Sequence, residues 1–286
     1  MLFAIDIAFS VAFAGVLVYL KIIPVDFWYE FYKPLIVAIV AFVAFFAVWL
    51  LFAFIVTRFI KKEKPVEKPN VFFVWLFNFI DRFILTISNV RIKLSGFEKL
   101  EKGKTYFFVC NHRSRFDNMI LAPVLKKYNL VMISKPENFN IPMVGEIIYK
   151  MGYMSINREN DREALKTILL ASKKIGLGQS VLACPEGTRN LSGNGLLPFK
   201  NGVFKIAYKS KAPISVICLS GTENIHKFVP FKSRKVYVDF LDVLKYDDYC
   251  SLKTSELGGI VEKKILDKLN ERENKDEVWK KHLSAA

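Results

Sequence analysis

The stretch NHRSRFD, residues Asn111 to Asp117, sets an imidazole, His112, five positions ahead of a carboxylate, Asp117. The chain holds only 3 histidines in 286 residues, so each is a notable candidate base. An imidazole titrates near ~6.5, which suits it to take a proton from a hydroxyl at neutral pH. A carboxylate bonded to one ring nitrogen would fix the tautomer and leave the other nitrogen free. Five helical steps rotate about 140° beyond a full turn, so the two residues cannot share one face of a regular helix. His112 is therefore expected in a loop and Asp117 in the first turn of a following helix, from which its carboxylate reaches back.

A second cluster, CPEGTRN over 184–190, packs Glu186, Gly187, Thr188 and Arg189 into a tight loop offering backbone N–H groups, a carboxylate and a guanidinium. Arginine grips phosphate through a bidentate fork that lysine cannot reproduce. Two further loops bring cations: Lys135 in SKPENFNIPMVG and Arg158 in GYMSINREN. Any one of these is most simply a solvated charge. Together with the His/Asp pair they point to a phosphate-bearing substrate. Ser114 and Thr188 are alternative nucleophiles for a hydrolase, but neither sits in a G-x-S-x-G elbow. No metal is expected, because Cys and His do not cluster at ligand spacing. Cys110, Cys184, Cys218 and Cys250 lie far apart without a C-x-x-C pair and are read as reduced, structural thiols.

The elements that must carry these groups alternate. Apolar, β-branched or aromatic runs at 105–111, 129–134, 152–157, 180–187, 212–220 and 235–242 read as strands. Between them, NDREALKTILLASKKIGLG reads as a helix with Ala164, Leu165, Ile168, Leu169 and Ser172 on one face, acids at its start, lysines at its end and Gly176 as its stop. This is an α/β pattern with a mixed, largely parallel sheet flanked by helices. In such sheets, ligand and catalytic groups gather beyond the carboxyl ends of the strands, where all four clusters fall. The tail repeats apolar residues at Ile260, Val261, Ile265 and Leu269 before becoming a charged helix with a solvated face.

Composition is unusual in two directions: 52% hydrophobic residues with 26 phenylalanines, yet a net charge of +15. A membrane protein with a cationic aqueous domain combines these naturally. Pro34–Thr57 is an uncharged run long enough to cross a bilayer as a helix. Leu2–Leu20, interrupted by Asp6, reads as a second spanning or interfacial helix that lacks the features of a signal peptide. Arg58, Lys61, Lys62, Lys64 and Lys68 follow the main span, which places the remainder on the cytoplasmic side. The expected organisation is membrane helices over 1–60, a basic linker over 61–70, an interfacial amphipathic helix over 71–89, an α/β domain over 90–250, and a C-terminal helix and charged tail over 251–286. A first core helix is the alternative for 71–89. The basic excess suits an anionic membrane lipid; nucleic acid is not expected, because no DNA- or RNA-binding motif is present. A non-catalytic module tethering anionic lipid would explain the charge and the spans but not the His/Asp pair.

The clusters resemble the sequence blocks of the 1-acylglycerol-3-phosphate acyltransferase family, with order and spacing intact over about residues 90–220. Asn111, His112, Ser114 and Asp117 match its N-H-x-S-x-x-D block, and Lys135 with Gly152, Ile156 and Arg158 resembles its second. Pro185 to Arg189 match P-E-G-T-R, with Cys184 where the family usually has Phe, and Ala212, Pro213 and Ile214 resemble the fourth. The resemblance implies one-step transfer of an acyl group from acyl-CoA or acyl carrier protein to the hydroxyl of lysophosphatidic acid, with another lysophospholipid or glycerol 3-phosphate as alternative acceptors, and without a metal or redox cofactor. His112 would be the base and Asp117 its orienting acid. Arg189, Arg158 and Lys135 would hold the phosphate, with Thr188 in the same site. Glu186 and Gly187 would shape the acceptor site and lend a backbone N–H to the oxyanion, while Asn111 and Ser114 would support the loop.

Overall fold

The computed structural model describes residues 2–25, 28–157, 159–192, 195–226 and 233–284. Two compact units emerge, Met1–Glu63 and Lys64–Ala286. The first holds α1 (Leu2–Tyr19) and α2 (Tyr32–Arg58), packed on each other. Ala14, Ala41 and Ala53 are buried, as small residues are where apolar helices approach closely. Among the described residues, α2 is the one helix long and apolar enough to cross a membrane; the apolar part of α1, Asp6–Tyr19, is shorter.

The second unit opens with α3 (Val71–Ile87), which begins with Asn70 accepting from the backbone N–H groups of Phe72 and Phe73. It then builds a seven-stranded sheet. In chain order come β1 (Val90–Ser95), β2 (Phe107–Cys110), α4 (Asp117–Val124), β3 (Val131–Ser134), α5 (Val144–Lys150), β4 (Met154–Ser155), α6 (Asp161–Gly176), β5 (Val181–Ala183), α7 (Lys205–Ser210), β6 (Ile214–Ser220), β7 (Arg234–Leu244), α8 (Tyr246–Tyr249) and α9 (Thr254–Ser284). The strand order is β1-β7-β6-β2-β5-β3-β4. Strands β6, β2, β5, β3 and β4 run parallel; β7 is antiparallel to β6 and carries β1 parallel to itself on the outer edge.

β2 and β5 are buried along their whole length, which is why they read as continuous apolar runs rather than alternating ones. β1 is not among the runs picked out from the sequence. Its V-R-I-K-L-S alternation is that of a half-exposed edge strand, and it follows α3 too closely to stand out as a separate element.

One face of the sheet is covered by α6, α7 and the first half of α9, whose side chains form a single core with Phe107, Val109, Val181 and Val216. Within α6 the buried residues are Thr167, Ile168, Ala171, Lys174 and Ile175. Leu165 and Leu169, expected on the inner face, are exposed, so the helix is rotated from the sequence reading toward its contact with α7. In α9 the inner face is Leu257, Val261, Ile265 and Leu269, each at most 1% exposed, while Ile260 points outward. Burying each of those four is worth about 1.5–3 kcal/mol, so the start of the C-terminal helix belongs to the core. Arg272 fixes the helix further along, pairing with the buried Asp239 of β7 at 2.6 Å and covering the Tyr237 ring at 4.1 Å. The opposite side of the sheet holds an aromatic group, Phe97, Tyr106, Phe108 and Tyr128.

The segment leading into α3 is latched to the domain. The Lys174 ammonium, 2% exposed, donates to the Val66 carbonyl at 2.6 Å and the Gln179 side chain at 3.3 Å, while Gln179 donates to the Glu67 carbonyl at 2.6 Å. Burial lowers the Lys174 pKa to about 8. α3 has two characters: Phe73, Leu76, Asp81 and Leu85 are buried, and Val71, Phe72 and Trp75 are exposed.

Asp81 has no charge partner among the described residues, and burial raises its pKa to about 8. An unfolded Asp titrates near ~3.9. Between those values the folded chain holds a proton that the unfolded chain has released, so stability falls as pH rises through that window. Asp81→Asn, which stays neutral, is expected to flatten that fall. Thermal midpoints measured from pH 5 to 9 should diverge in favour of the variant as pH increases; parallel curves would show that Asp81 is already compensated.

Candidate active site

The site forms where the chain changes direction. The connection from β2 leads past β5 to β3, whereas the connection from β5 leads past β2 to β6. This leaves a crevice between β2 and β5 at their carboxyl ends, the usual ligand position in such sheets. β3 and β4 follow β5 in order, so the loops bearing His112, the 184–190 turn, Lys135 and Arg158 leave four neighbouring strands on one side. Arg158 itself lies outside the described residues.

Asn111 sets the exit from β2. Fully buried, its side-chain amide acts as a substitute peptide: Nδ2 donates to the Leu219 carbonyl at 2.9 Å and Oδ1 accepts from the Leu219 N–H at 2.7 Å. His112 comes next and is held at both ends of its backbone. Its N–H donates to Glu186 Oε1 at 2.6 Å, and its carbonyl accepts from the Asn190 N–H at 2.7 Å. The ring is 23% exposed, while the Asp117 side chain beside it is completely buried.

His112 Nδ1 lies 2.7 Å from Asp117 Oδ2. A buried carboxylate in this contact can only accept, so Nδ1 carries the hydrogen and Nε2 keeps its lone pair. Asp117 is the first residue of α4, where a negative charge is favoured, and Oδ2 also accepts from the N–H groups of Arg113 at 2.8 Å and Ser114 at 2.9 Å. The loop is thus wound around one oxygen atom. The Ser114 hydroxyl accepts from the Phe116 N–H at 3.2 Å, a local turn bond.

Burial alone would push the His112 pKa down. The Cys184 sulfur, the Asp117 hydrogen bond and the negative charges of Asp117 and Glu186 outweigh it and leave the ring above its ordinary value. Glu186 moves up as well, because burial outweighs the hydrogen bonds from Leu197 and His112.

Glu186 is 2% exposed, and both of its oxygens are taken by backbone: Oε1 by the His112 N–H and Oε2 by the Leu197 N–H at 2.9 Å. It braces His112 against the loop after β5. Gly187 has φ +75°, in the left-handed region where an L side chain costs about 1–2 kcal/mol. Its N–H donates to the Cys184 carbonyl at 3.1 Å, so this N–H closes a turn and is not free for an oxyanion. Thr188 is exposed, and its hydroxyl lies 3.4 Å from the Lys135 ammonium, which joins the loops after β3 and β5. Arg189, next along the turn, is half-buried. No group of His, Cys, Asp and Glu able to hold a metal occurs among the described residues.

Three features escape sequence reading. The Asn190 and Leu197 N–H groups act through the backbone and leave no signal in residue type. The third is the contact between Cys110 and Cys184, whose sulfurs lie 3.1 Å apart although 74 positions separate them. The distance between cysteines along the chain is not their distance in the fold, because β2 and β5 are neighbours.

The arrangement offers a lone pair on Nε2 at a partly open surface, a fully buried acid behind it and a lysine on the loop two strands along the sheet. That is a base for an alcohol beside a cation for an anion. Comparison with known proteins agrees. The model of the Acyltransferase family matches residues 91–220. The 1-acyl-sn-glycerol-3-phosphate acyltransferase of Borreliella burgdorferi is 30% identical over 190 residues, covering 65% of this chain and 74% of that one. The Escherichia coli enzyme of the same name is 31% identical over 163 residues, 55% of this chain and 66% of its own. The crystal structure of the acyltransferase PlsC from Thermotoga maritima shares the fold, with a TM-score of 0.58 at 22% identity over 70% of this chain and 79% of that one. The matched region carries the strand-end loops, and with them His112 and Asp117: the chain belongs to the 1-acyl-sn-glycerol-3-phosphate acyltransferase family.

Proposed function

We propose that the chain transfers an acyl group from the thioester of acyl-CoA or acyl carrier protein to the free hydroxyl of 1-acylglycerol 3-phosphate, yielding phosphatidic acid for phospholipid synthesis. The observation that carries this reading is the His112–Asp117 contact, with its second ring nitrogen free. Nε2 takes the hydroxyl proton as the oxygen attacks the thioester carbonyl. The imidazolium that forms is stabilised by Asp117 and returns the proton to the departing thiolate. No covalent acyl-enzyme is needed, and the Ser114 hydroxyl is engaged with its own turn. Lys135 and Arg189, with Arg158 from the loop after β4, hold the phosphate of the acceptor.

The acceptor is a lipid, which agrees with a domain joined to α2 and with a net charge of +15 drawn to anionic lipid. Lys and Arg after α2 favour the cytoplasmic side for the catalytic unit, the side on which a soluble donor would meet it. No metal or redox cofactor enters the reaction.

The test is a panel of lysolipids, together with glycerol 3-phosphate, each offered with acyl-CoA and acyl carrier protein donors to detergent-purified protein. Lysophosphatidate should give phosphatidate faster than any other acceptor. Faster acylation of a different lysophospholipid would move the assignment to that acceptor. The absence of transfer above a His112→Ala control for every pair would remove the enzymatic reading.

A further inference from the structure

Cys110 and Cys184 are the last residue of β2 and the residue after β5. The two strands pair in parallel with Phe107 opposite Val181, Phe108 opposite Leu182 and Val109 opposite Ala183. The next rung of that register is Cys110 opposite Cys184. Adjacent strands lie ~4.8 Å apart, inside the ~4.4–6.8 Å separation of Cα atoms that a disulfide spans. The sulfurs are already in contact at 3.1 Å. Cys110 is fully buried and Cys184 half-buried, so a small reagent meets Cys184 first. Hydrogen bonding from Cys110 lowers the Cys184 pKa against the effect of burial, and the nearby His112 ring lowers it further.

The pair also sits inside the machinery that holds the base. His112 is two residues after Cys110, and Glu186, which accepts the His112 N–H, is two residues after Cys184. The Cys184 carbonyl closes the turn at Gly187.

We propose that Cys110 and Cys184 form an oxidative modification site: a peroxide joins them in a disulfide, and the joined state loses the alignment of His112 and stops acyl transfer. The Cys184 thiolate attacks one peroxide oxygen, the O–O bond breaks, and hydroxide leaves a sulfenic acid on Cys184. The Cys110 sulfur attacks that sulfur, the S–O bond breaks, and the oxygen departs as water with the Cys110 proton. Two thiols lose two electrons and the peroxide becomes two waters. A thiol reductant reverses the bond. In a reducing compartment the pair stays open, so the site responds to oxidant. Closing the sulfurs from 3.1 Å to about 2.05 Å re-aims both side chains and shifts the two strand ends toward the ~5.5–6 Å separation that a disulfide favours. Those ends carry the hydrogen bonds at 2.6 and 2.7 Å that fix His112. A displacement of about 1 Å at a catalytic group can cost ~10²-fold in rate.

The bond itself is independent of the acyl-transfer reading; its effect on turnover rests on that reading. The full chain in detergent is reduced, exposed to hydrogen peroxide, alkylated and digested, and the peptides containing Cys110 and Cys184 are sought as one species lighter by two hydrogens. Acylation rate and the rate of His112 carbethoxylation by diethyl pyrocarbonate are read before and after. The linked peptide is expected, with a 10–100-fold loss of transfer and a changed His112 reactivity, both restored by a phosphine. Cys110→Ala and Cys184→Ala should each give an oxidised-to-reduced rate ratio near one, taken within each variant. Cys250→Ser, at an exposed position, should behave like the parent. Oxidation with both thiols still free would overturn the site. A linked peptide with unchanged transfer and unchanged His112 reactivity would overturn its effect. If the reduced chain transfers no acyl group at all, the functional reading fails, and the linked peptide and His112 reactivity still decide this one.

Discussion

His112→Ala is expected to lower kcat with lysophosphatidate by about 10³-fold or more while leaving KM for the acceptor nearly unchanged. Positioned acid–base groups contribute roughly 10²–10⁴-fold, and in the proposed reaction one ring both takes the hydroxyl proton and returns it to the leaving thiolate. In the proposed reaction the acceptor phosphate is held by cations from other loops, so binding would not depend on the imidazole. The fold should tolerate the change. The backbone N–H and carbonyl at position 112 stay bonded to Glu186 and Asn190 whatever the side chain, and the ring is partly exposed, so little cavity is left. Asp117 loses one of three donors and keeps the N–H groups of Arg113 and Ser114. Matched thermal midpoints with a collapsed kcat are therefore the expected pair of measurements. A variant within tenfold of the parent would show that another group is the base.

What could be read from sequence here, and what could not, follows from range. The His112–Asp117 contact spans five residues within one loop, so residue types and helix geometry suffice to predict it. The gathering of the 184–190 turn and Lys135 around it follows from a rule about strand ends and needs no knowledge of strand order. The edge strand β1 is different: its place beside β7 depends on pairings such as Ser95 to Asp239 across 144 positions, which no local pattern encodes. The inner face of α6 differs from the one its sequence suggests because its apolar stripe is wide. Leu165 and Leu169 fit one edge, and Ile168, Ala171 and Ile175 the other. Packing against α7 chose between them, with the Ser172 hydroxyl bonded to the Ile206 carbonyl at 3.3 Å. Glu186 shows a subtler gap. Its presence in the turn was plain, but only the fold reveals that both oxygens serve the backbone. The thiol pair was illegible for the same reason as β1, since it depends on register between two strands that other elements separate along the chain.

Asp117→Asn isolates the electrostatic part of the site and is expected to lower kcat by ~10²–10³-fold. Its oxygen can replace Oδ2, which accepts from His112, Arg113 and Ser114. The amide nitrogen then lies where Oδ1 is buried without a hydrogen-bond partner, an unsatisfied donor costing about 1–3 kcal/mol. The reverse orientation would set two amide hydrogens against the Arg113 and Ser114 N–H groups. The variant therefore keeps the geometry best in the first orientation and loses the charge that steadies the imidazolium. The pH profile separates these effects. A general base works when deprotonated, so kcat/KM rises with pH through the His112 pKa. In the parent, burial pulls that pKa down, but the Cys184 sulfur and the Asp117 contact hold it above the ordinary value. Removing the Asp117 charge takes away part of the upward shift, so the rising limb of kcat/KM moves to lower pH. The gap between variant and parent should then narrow as pH falls, because the parent ring becomes protonated before the variant ring does. A reduced rate with the limb unmoved would mean that Asp117 serves only to wind the loop, since loss of geometry alone has no reason to move a proton equilibrium.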